Sequence, residues 1–304
     1  IQDSQTMSTN ELAGVIVPTT TPFDTRGDIN FSAIGEQIDW LVECGVHGIA
    51  VGGSTGEGHS LASDEYAQLI ETAVSSTNGR FPVIAGIITD STRESVRRGQ
   101  LIKDMGVAAL QVTPVHYLFK PDDDATVEHF RILTEETGMP VIIYNVVPWS
   151  YLNPDLLCRV MTEVPGVIGV KQSAGDVKLF ADLMIKITPG QLVFSACDAL
   201  LYPCYSLGAH GSIAAILTAA PKASVDLWDA VRQGDHEQAL DLHQRLLVLW
   251  NAMLGDDLPA ATKVAQAAQG IASGQPRMPM KPPSTQRQSD IRSALTGLGL
   301  TLVQ

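Results

Sequence analysis

Lys171 ends the apolar run "GVIGVKQ", and a lysine directly after a buried strand is placed for covalent chemistry. At the mouth of an apolar fold an ammonium loses hydration, which favours the neutral amine that attacks a carbonyl and forms an imine. The plainer alternative is a solvated lysine capping a strand end. Tyr144 closes the preceding run, "VIIYNV". Its phenol is expected in the same mouth, where it can shuttle protons to and from a carbinolamine or an aldol oxygen.

A third element is the turn "AVGGSTGEGHSL" over residues 50–61. Gly52, Ser54 and Gly56 spell G-x-S-x-G, the outline of a serine-hydrolase elbow, for which Asp198 and His210 are the tempting downstream partners. A phosphate loop fits less well, because no Lys-Ser or Lys-Thr follows the last glycine. A carboxylate cradle fits better. Backbone N–H groups at glycines such as Gly53 approach an anion closely, a following helix N-terminus adds positive potential, and the Ser54 and Thr55 hydroxyls donate further bonds. A tight turn without ligand is the remaining alternative. With Lys171 and Tyr144, the cradle completes a set: a holder for the acid group of a keto acid, a nucleophile for its ketone and a proton carrier.

The elements that must position these groups are legible as apolar runs. "GVIVPTT", "GIAVGG", "PVIAGI", "ALQVTP", "VIIYNV", "VIGVKQ", "LVFSA" and "GSIAAI" recur along residues 14–216, near-continuous rather than alternating, as parallel strands covered on both faces require. Helical patterns lie between them. Phe31, Ile34, Ile38, Leu41 and Val42 share one face before Gly45, and Ser91 with Glu94 forms a capping box. Eight such units predict an α/β fold, a (β/α)8 TIM barrel with a C-terminal helical extension; an open doubly wound sheet is the runner-up. The expected organisation is a loose arm over residues 1–12, the barrel with its active site over 13–221, and a helical region over 222–304. Within the last, "GQPRMPMKPPSTQRQ" is a Pro-rich connector to a final helix ending near Leu300.

Composition narrows the partners. A chain of 304 residues with 45% hydrophobic and 17% charged residues can bury a large core. A net charge of −13 with scattered basic residues disfavours nucleic acid and anionic membranes, leaving small molecules or copies of the chain itself. Cys44, Cys158, Cys197 and Cys204 form no CxxC pair and no zinc-spaced cluster with His, which fits a reducing compartment and no metal. "GSIAAILTAA" is too short for a membrane helix. The expectation is a cytoplasmic protein.

In this order, "PTTTPFDTRGDINF", "GGSTGEGHSL", "PVIAG", "VTPVHYLFKP", "YNV", "GVIGVKQSAGD", "GAHGSI" and "RMPMKP" give the chain from about Gly14 to Pro279 its character. It resembles the pyruvate-dependent class I aldolase family that includes dihydrodipicolinate synthase and N-acetylneuraminate lyase. The resemblance implies a barrel with a helical C-terminal region, a homo-oligomer that is usually a tetramer built from tight dimers, and pyruvate held as a Schiff base without other cofactor. Lys171 then matches the imine lysine, Tyr144 the catalytic tyrosine, Ser54 and Thr55 the hydroxyl pair on the pyruvate carboxylate, and Ile213 a residue whose backbone lies beside the keto acid.

Three departures bear on the second substrate. His116 stands where the synthases have a relay tyrosine contributed across the tight dimer, with Tyr117 next; an imidazole both donates and accepts and can serve there. The synthases carry an arginine after "YNVP", whereas "YNVVPWSYLNP" has none before Arg159, which removes the expected partner of an incoming carboxylate. Trp149 in that segment suggests a larger or more apolar aldehyde. "SACDALL" keeps Asp198, with Ala199 following, of the acidic pair that would bind a polyhydroxy tail. The expected activity is a Schiff-base aldolase or lyase acting on pyruvate, or on a keto acid that releases it, and an aldehyde of its own. Authentic 4-hydroxy-tetrahydrodipicolinate synthesis and sugar-acid aldolase activity are the alternatives in the same class. A non-catalytic keto-acid-binding protein is the alternative outside it.

Overall fold

A computed structural model describes residues 12–303. Eight parallel strands close into a barrel: β1 (Gly14–Pro18), β2 (Gly48–Val51), β3 (Val83–Ile87), β4 (Ala109–Val112), β5 (Val141–Asn145), β6 (Val167–Gln172), β7 (Leu192–Ser195) and β8 (Gly211–Ser212). Each lies within one of the eight apolar runs, and pairing of β1 with β8 rules out the open sheet. The runs are continuous because both faces are covered. Val15, Val17, Ile49 and Val51 point outward under the helices, while Ile16, Ala50, Ile84, Ala109, Ile142 and Phe194 fill the interior.

Helices alternate with the strands: α1 (Phe31–Glu43), α2 (Ser63–Thr77), α3 (Thr92–Ile102), α4 (Asp123–Thr137), α5 (Pro154–Glu163), α6 (Val177–Lys186), α7 (Leu201–Ser206) and α8 (Ala215–Ala219). α1 buries Ile34, Ile38 and Leu41, as its spacing predicts. At α3 the capping box is half formed. The Ser91 hydroxyl accepts from the Glu94 N–H at 3.2 Å, but the Glu94 carboxylate turns toward Arg97 and Arg98 instead of returning to the cap. The expected arm over residues 1–12 lies outside the described residues except Leu12, which is buried against the barrel interior rather than loose.

A register change in β6 determines which side chains face inward. Val141 pairs with Val167, yet Ile142 pairs with Gly169, so β6 carries one extra residue against β5. Val167 and Val170 both face the outer layer, and the two residues between them absorb the offset. Lys171 therefore falls opposite Tyr144, on the inner face. Gly169 is required at this point, because a Cβ there would lie 2.5 Å from the Leu192 carbonyl oxygen of β7.

After the barrel come α9 (Pro221–Gln233), α10 (His236–Met253), α11 (Leu258–Ala268) and α12 (Thr285–Gly297), with the Pro-rich connector crossing between α11 and α12 without helix. α11 reaches back to the glycine turn. Lys263 on α11 and Glu57 of the turn form an ion pair at 2.6 Å, each side chain 2% exposed. The other Glu57 oxygen accepts the Arg277 N–H of the connector at 2.8 Å. Glu57 sits at φ 54°, left-handed backbone uncommon for a side-chain-bearing residue, and this double anchoring holds it there. Removing one partner of a buried pair strands the other charge, at about 3–5 kcal/mol. Lys263→Ala should lose stability of that order in urea unfolding, and Glu57→Gln/Lys263→Met should recover part of it.

Histidines tie the strands at the end where they begin. The Val15 N–H donates to Nδ1 of His47 and the Val193 N–H to Nδ1 of His210, both at 3.1 Å, so each ring must be neutral. Burial holds both below the usual histidine range, and it pushes the buried His129 down to about 4. The folded chain resists protons that the unfolded chain takes up near pH 6.5. The stability these rings confer is therefore complete above that pH and declines as pH falls from about 6.5 toward 4. A thermal-melting series should show the decline, less steeply in His129→Gln.

Candidate active site

The C-terminal ends of the strands converge on a cavity of about 290 Å³. This volume is at the small end for ligand pockets and suits a compact substrate. Lys171 from β6 and Tyr144 from β5 enter it side by side, 4% and 3% exposed. The Lys171 Nζ stands 3.9 Å from the centroid of the Tyr144 ring, where the π face stabilises positive charge such as that of an iminium. The Tyr144 hydroxyl donates to the Ser54 Oγ at 3.0 Å. Lysine, phenol and serine thus form one contiguous set assembled from three strand ends.

The next residue on each strand fixes this arrangement from behind. Asn145 donates through Nδ2 to Gln172 Oε1 at 3.1 Å, and the same oxygen accepts the Ala174 N–H at 3.2 Å. Asn145 also donates to the Leu152 carbonyl at 3.0 Å and accepts the Leu152 N–H at 2.9 Å. These bonds lock β5 to β6 and clamp the loop after β5 to both. "YN" and "KQ" carried that information, but only the register makes Asn145 and Gln172 neighbours.

Ser54 and Thr55 line the cavity, as the cradle requires. Thr21 Oγ1 donates to the Gly56 carbonyl at 2.6 Å and helps hold the turn. No long helix starts there. A short 3-10 turn, Gly58–Ser60, intervenes and α2 begins only at Ser63, so the expected helix N-terminus does not follow the cradle directly. Gly53 does not line the cavity. It forms the back of the turn, its carbonyl accepting the Gly58 N–H at 3.0 Å, and its backbone rests against Gly86 so closely that a Cβ on Gly86 would lie 2.7 Å from the Gly53 nitrogen.

Ile213 and Asp198 line the cavity from the far side. Burial pushes the Asp198 carboxyl up to about 6, against the opposing influence of the Ile216 N–H, which donates to it at 2.8 Å, and of the nearby Lys171. His116 and Trp149 stand apart from the lining. The His116 Nδ1 lies 3.0 Å from the Pro114 carbonyl and its Nε2 3.5 Å from Asp90. Trp149 is 69% exposed and its indole N–H donates to the His116 carbonyl at 2.7 Å. In this chain Trp149 ties two loops together. His210 is at the opposite end of the barrel, before β8, so Ser54 has no histidine base and the hydrolase triad is not assembled. Tyr151, Ser173, Leu258 and Pro259 also line the cavity and carry no sequence motif that singles them out.

The model of the dihydrodipicolinate synthetase family matches residues 11–298. A 4-hydroxy-tetrahydrodipicolinate synthase from Ralstonia nicotianae is 34% identical over 294 residues, covering 95% of this chain and 99% of the relative. The enzyme of that name from Methanopyrus kandleri is 33% identical, covering 95% and 97%. Among solved structures, dihydrodipicolinate synthase from Aquifex aeolicus superposes with a TM-score of 0.90 at 28% identity, covering 96% of this chain and all of the other. An E. coli K12 prophage protein of the dihydrodipicolinic acid synthase family, solved in complex with pyruvate, gives 0.91 at 25% identity, covering 95% and 99%. The chain belongs to the dihydrodipicolinate synthetase family and is an enzyme of its lyase class, a Schiff-base-forming aldolase of the dihydrodipicolinate synthase type.

Proposed function

We propose that the enzyme condenses pyruvate with an aldehyde that carries no carboxylate, or cleaves the corresponding hydroxy keto acid. Lys171 attacks the keto carbon, water leaves, and an imine forms. Ser54 and Thr55 hold the carboxylate, Ile213 flanks the bound acid, and Tyr144 carries protons as the carbon–carbon bond forms or breaks. The iminium nitrogen is the electron sink, so this chemistry needs no metal or organic cofactor. The observation that carries the assignment is the Lys171–Tyr144–Ser54 constellation in a small cavity at the C-terminal ends of the strands.

The character of the second substrate follows from what surrounds that constellation. Among the described lining residues Lys171 is the cation; the rest of the polar lining is hydroxyls from Ser54, Thr55, Tyr144, Tyr151 and Ser173, and the Asp198 carboxyl. An incoming carboxylate would be buried unpaired and beside Asp198. An uncharged, oxygen-bearing aldehyde meets donors and acceptors instead. This favours an activity distinct from authentic 4-hydroxy-tetrahydrodipicolinate synthesis. We place the enzyme in the cytoplasm, in keeping with four unpaired cysteines and with the lack of any described helix long and apolar enough to cross a membrane. We infer association of identical chains, supported by the neighbouring exposed side chains Tyr117, Leu118, Phe119 and Trp149.

Borohydride added with pyruvate should convert the imine to a stable adduct on the Lys171 peptide, detected by mass spectrometry, and Lys171→Ala should take up none. Tyr144→Phe should still be labelled while turnover falls by about 10²–10⁴-fold. An unlabelled Lys171 would reject the imine mechanism, and pyruvate binding without labelling or turnover would favour a non-catalytic binding protein. With pyruvate, consumption should favour glyceraldehyde over succinic semialdehyde by about tenfold or more. The glyceraldehyde kcat/KM should also change near pH 6 as Asp198 ionises, and Asp198→Asn should flatten that step.

A further inference from the structure

Glu57 is buried two residues after Thr55, does not line the cavity, and sits in left-handed backbone that a side-chain-bearing residue rarely adopts. Strain of this kind persists where the surrounding structure imposes it, and it concentrates at functional sites. We propose that Glu57 is a positioning residue: tied by its carboxylate to Lys263 and to the Arg277 backbone, it sets the Ser54 and Thr55 hydroxyls where the acid group of a bound keto compound must lie. It thereby gives the site a preference for keto acids over simple ketones. The proposal rests on the keto-acid reading of those two hydroxyls.

An unbroken path of contacts joins Glu57 to the reacting groups. Its N–H donates to the Ser54 carbonyl at 3.0 Å, closing the turn that carries both hydroxyls, and the Gly58 N–H donates to the Gly53 carbonyl at 3.0 Å. Ser54 accepts from the Tyr144 hydroxyl, whose ring lies under the Lys171 amine. A shift of Glu57 therefore moves both hydroxyls relative to the lysine.

The carboxylate is gripped from two directions. Lys263 Nζ donates to Oε1 at 2.6 Å and to the Gln275 carbonyl at 2.8 Å, and the Arg277 N–H donates to Oε2 at 2.8 Å. The Arg277 guanidinium keeps that N–H in place, donating to the Ser60 carbonyl at 2.8 Å and to the Glu65 carboxylate at 2.9 Å. Lys263 lies on the helix that brings Leu258 and Pro259 to the cavity, so the pair ties the turn to a second wall of the same site. Stability alone is a weak reason for such a pair, because well-packed apolar side chains of similar volume commonly serve as well as buried ions. Directional, charge-assisted bonds add a fixed geometry.

Competition between pyruvate and acetone for Lys171 tests this role, since acetone offers a ketone without the acid group. Both are supplied together with cyanoborohydride, and the two adducts on the Lys171 peptide are quantified by mass spectrometry. Their ratio comes only from molecules whose site can form an imine, so partial unfolding does not distort it. The full-length enzyme is compared with two double variants. In Glu57→Gly/Lys263→Met, glycine accepts the left-handed backbone and no buried charge is stranded, but the tether is gone. Glu57→Gln/Lys263→Met keeps an acceptor for the Arg277 N–H. The pyruvate-to-acetone ratio should fall by about tenfold or more in the first, with the acetone adduct retained, and stay within about threefold of normal in the second. An unchanged ratio in Glu57→Gly/Lys263→Met would overturn the proposal. So would loss of both adducts there, which marks a merely structural role, or an equal fall in Glu57→Gln/Lys263→Met. A ratio in the unmodified enzyme no higher than on free Nα-acetyllysine would instead reject the acid-holding role of Ser54 and Thr55, and absence of any adduct would reject the imine; the positioning role falls with either.

Discussion

One extra residue in β6 is the constraint on which the site depends. A strand shows alternate side chains to alternate faces, so a regular pairing continued from Val141 and Val167 would turn Val170 into the barrel and Lys171 out toward the helices. The offset reverses that parity over the last half of the strand. Gly169 makes it sterically possible, and the Asn145–Gln172 bond holds the corrected register at the strand ends. A buried lysine next to a phenol is thus a consequence of backbone pairing before it is one of side-chain chemistry.

The second half of the site depends on residues remote in sequence. The turn that presents Ser54 and Thr55 contains a left-handed Glu57, and a buried carboxylate in such a conformation is costly without strong partners. Lys263 and Arg277 supply them from beyond the barrel. The helical region therefore contributes more than a cover. It stabilises the glycine turn, and through Leu258 and Pro259 it lines the cavity that turn opens onto.

The barrel was legible in the sequence because two-sided burial leaves uninterrupted apolar runs, and eight of them with helices between admit few topologies. Lys171, Tyr144, Ser54 and Thr55 were legible because each ends a run or occupies a glycine turn. What could not be read was anything decided by register or distant pairing. The β6 offset leaves no mark in "VIGVKQ" beyond a glycine, Tyr151 looks like any loop tyrosine, and Glu57 and Lys263 are 206 residues apart. The same limit explains Trp149. Motif position aligned it with a substrate-facing residue, whereas its indole N–H binds the His116 carbonyl in a loop-to-loop tie.

The central claim, that backbone register delivers a shielded amine to a keto acid, is tested most directly by a crystal structure of the enzyme soaked in pyruvate. Continuous density from Lys171 Nζ to the keto carbon, with the acid group on Ser54 and Thr55, is the predicted result. A free lysine with pyruvate seated elsewhere would contradict it.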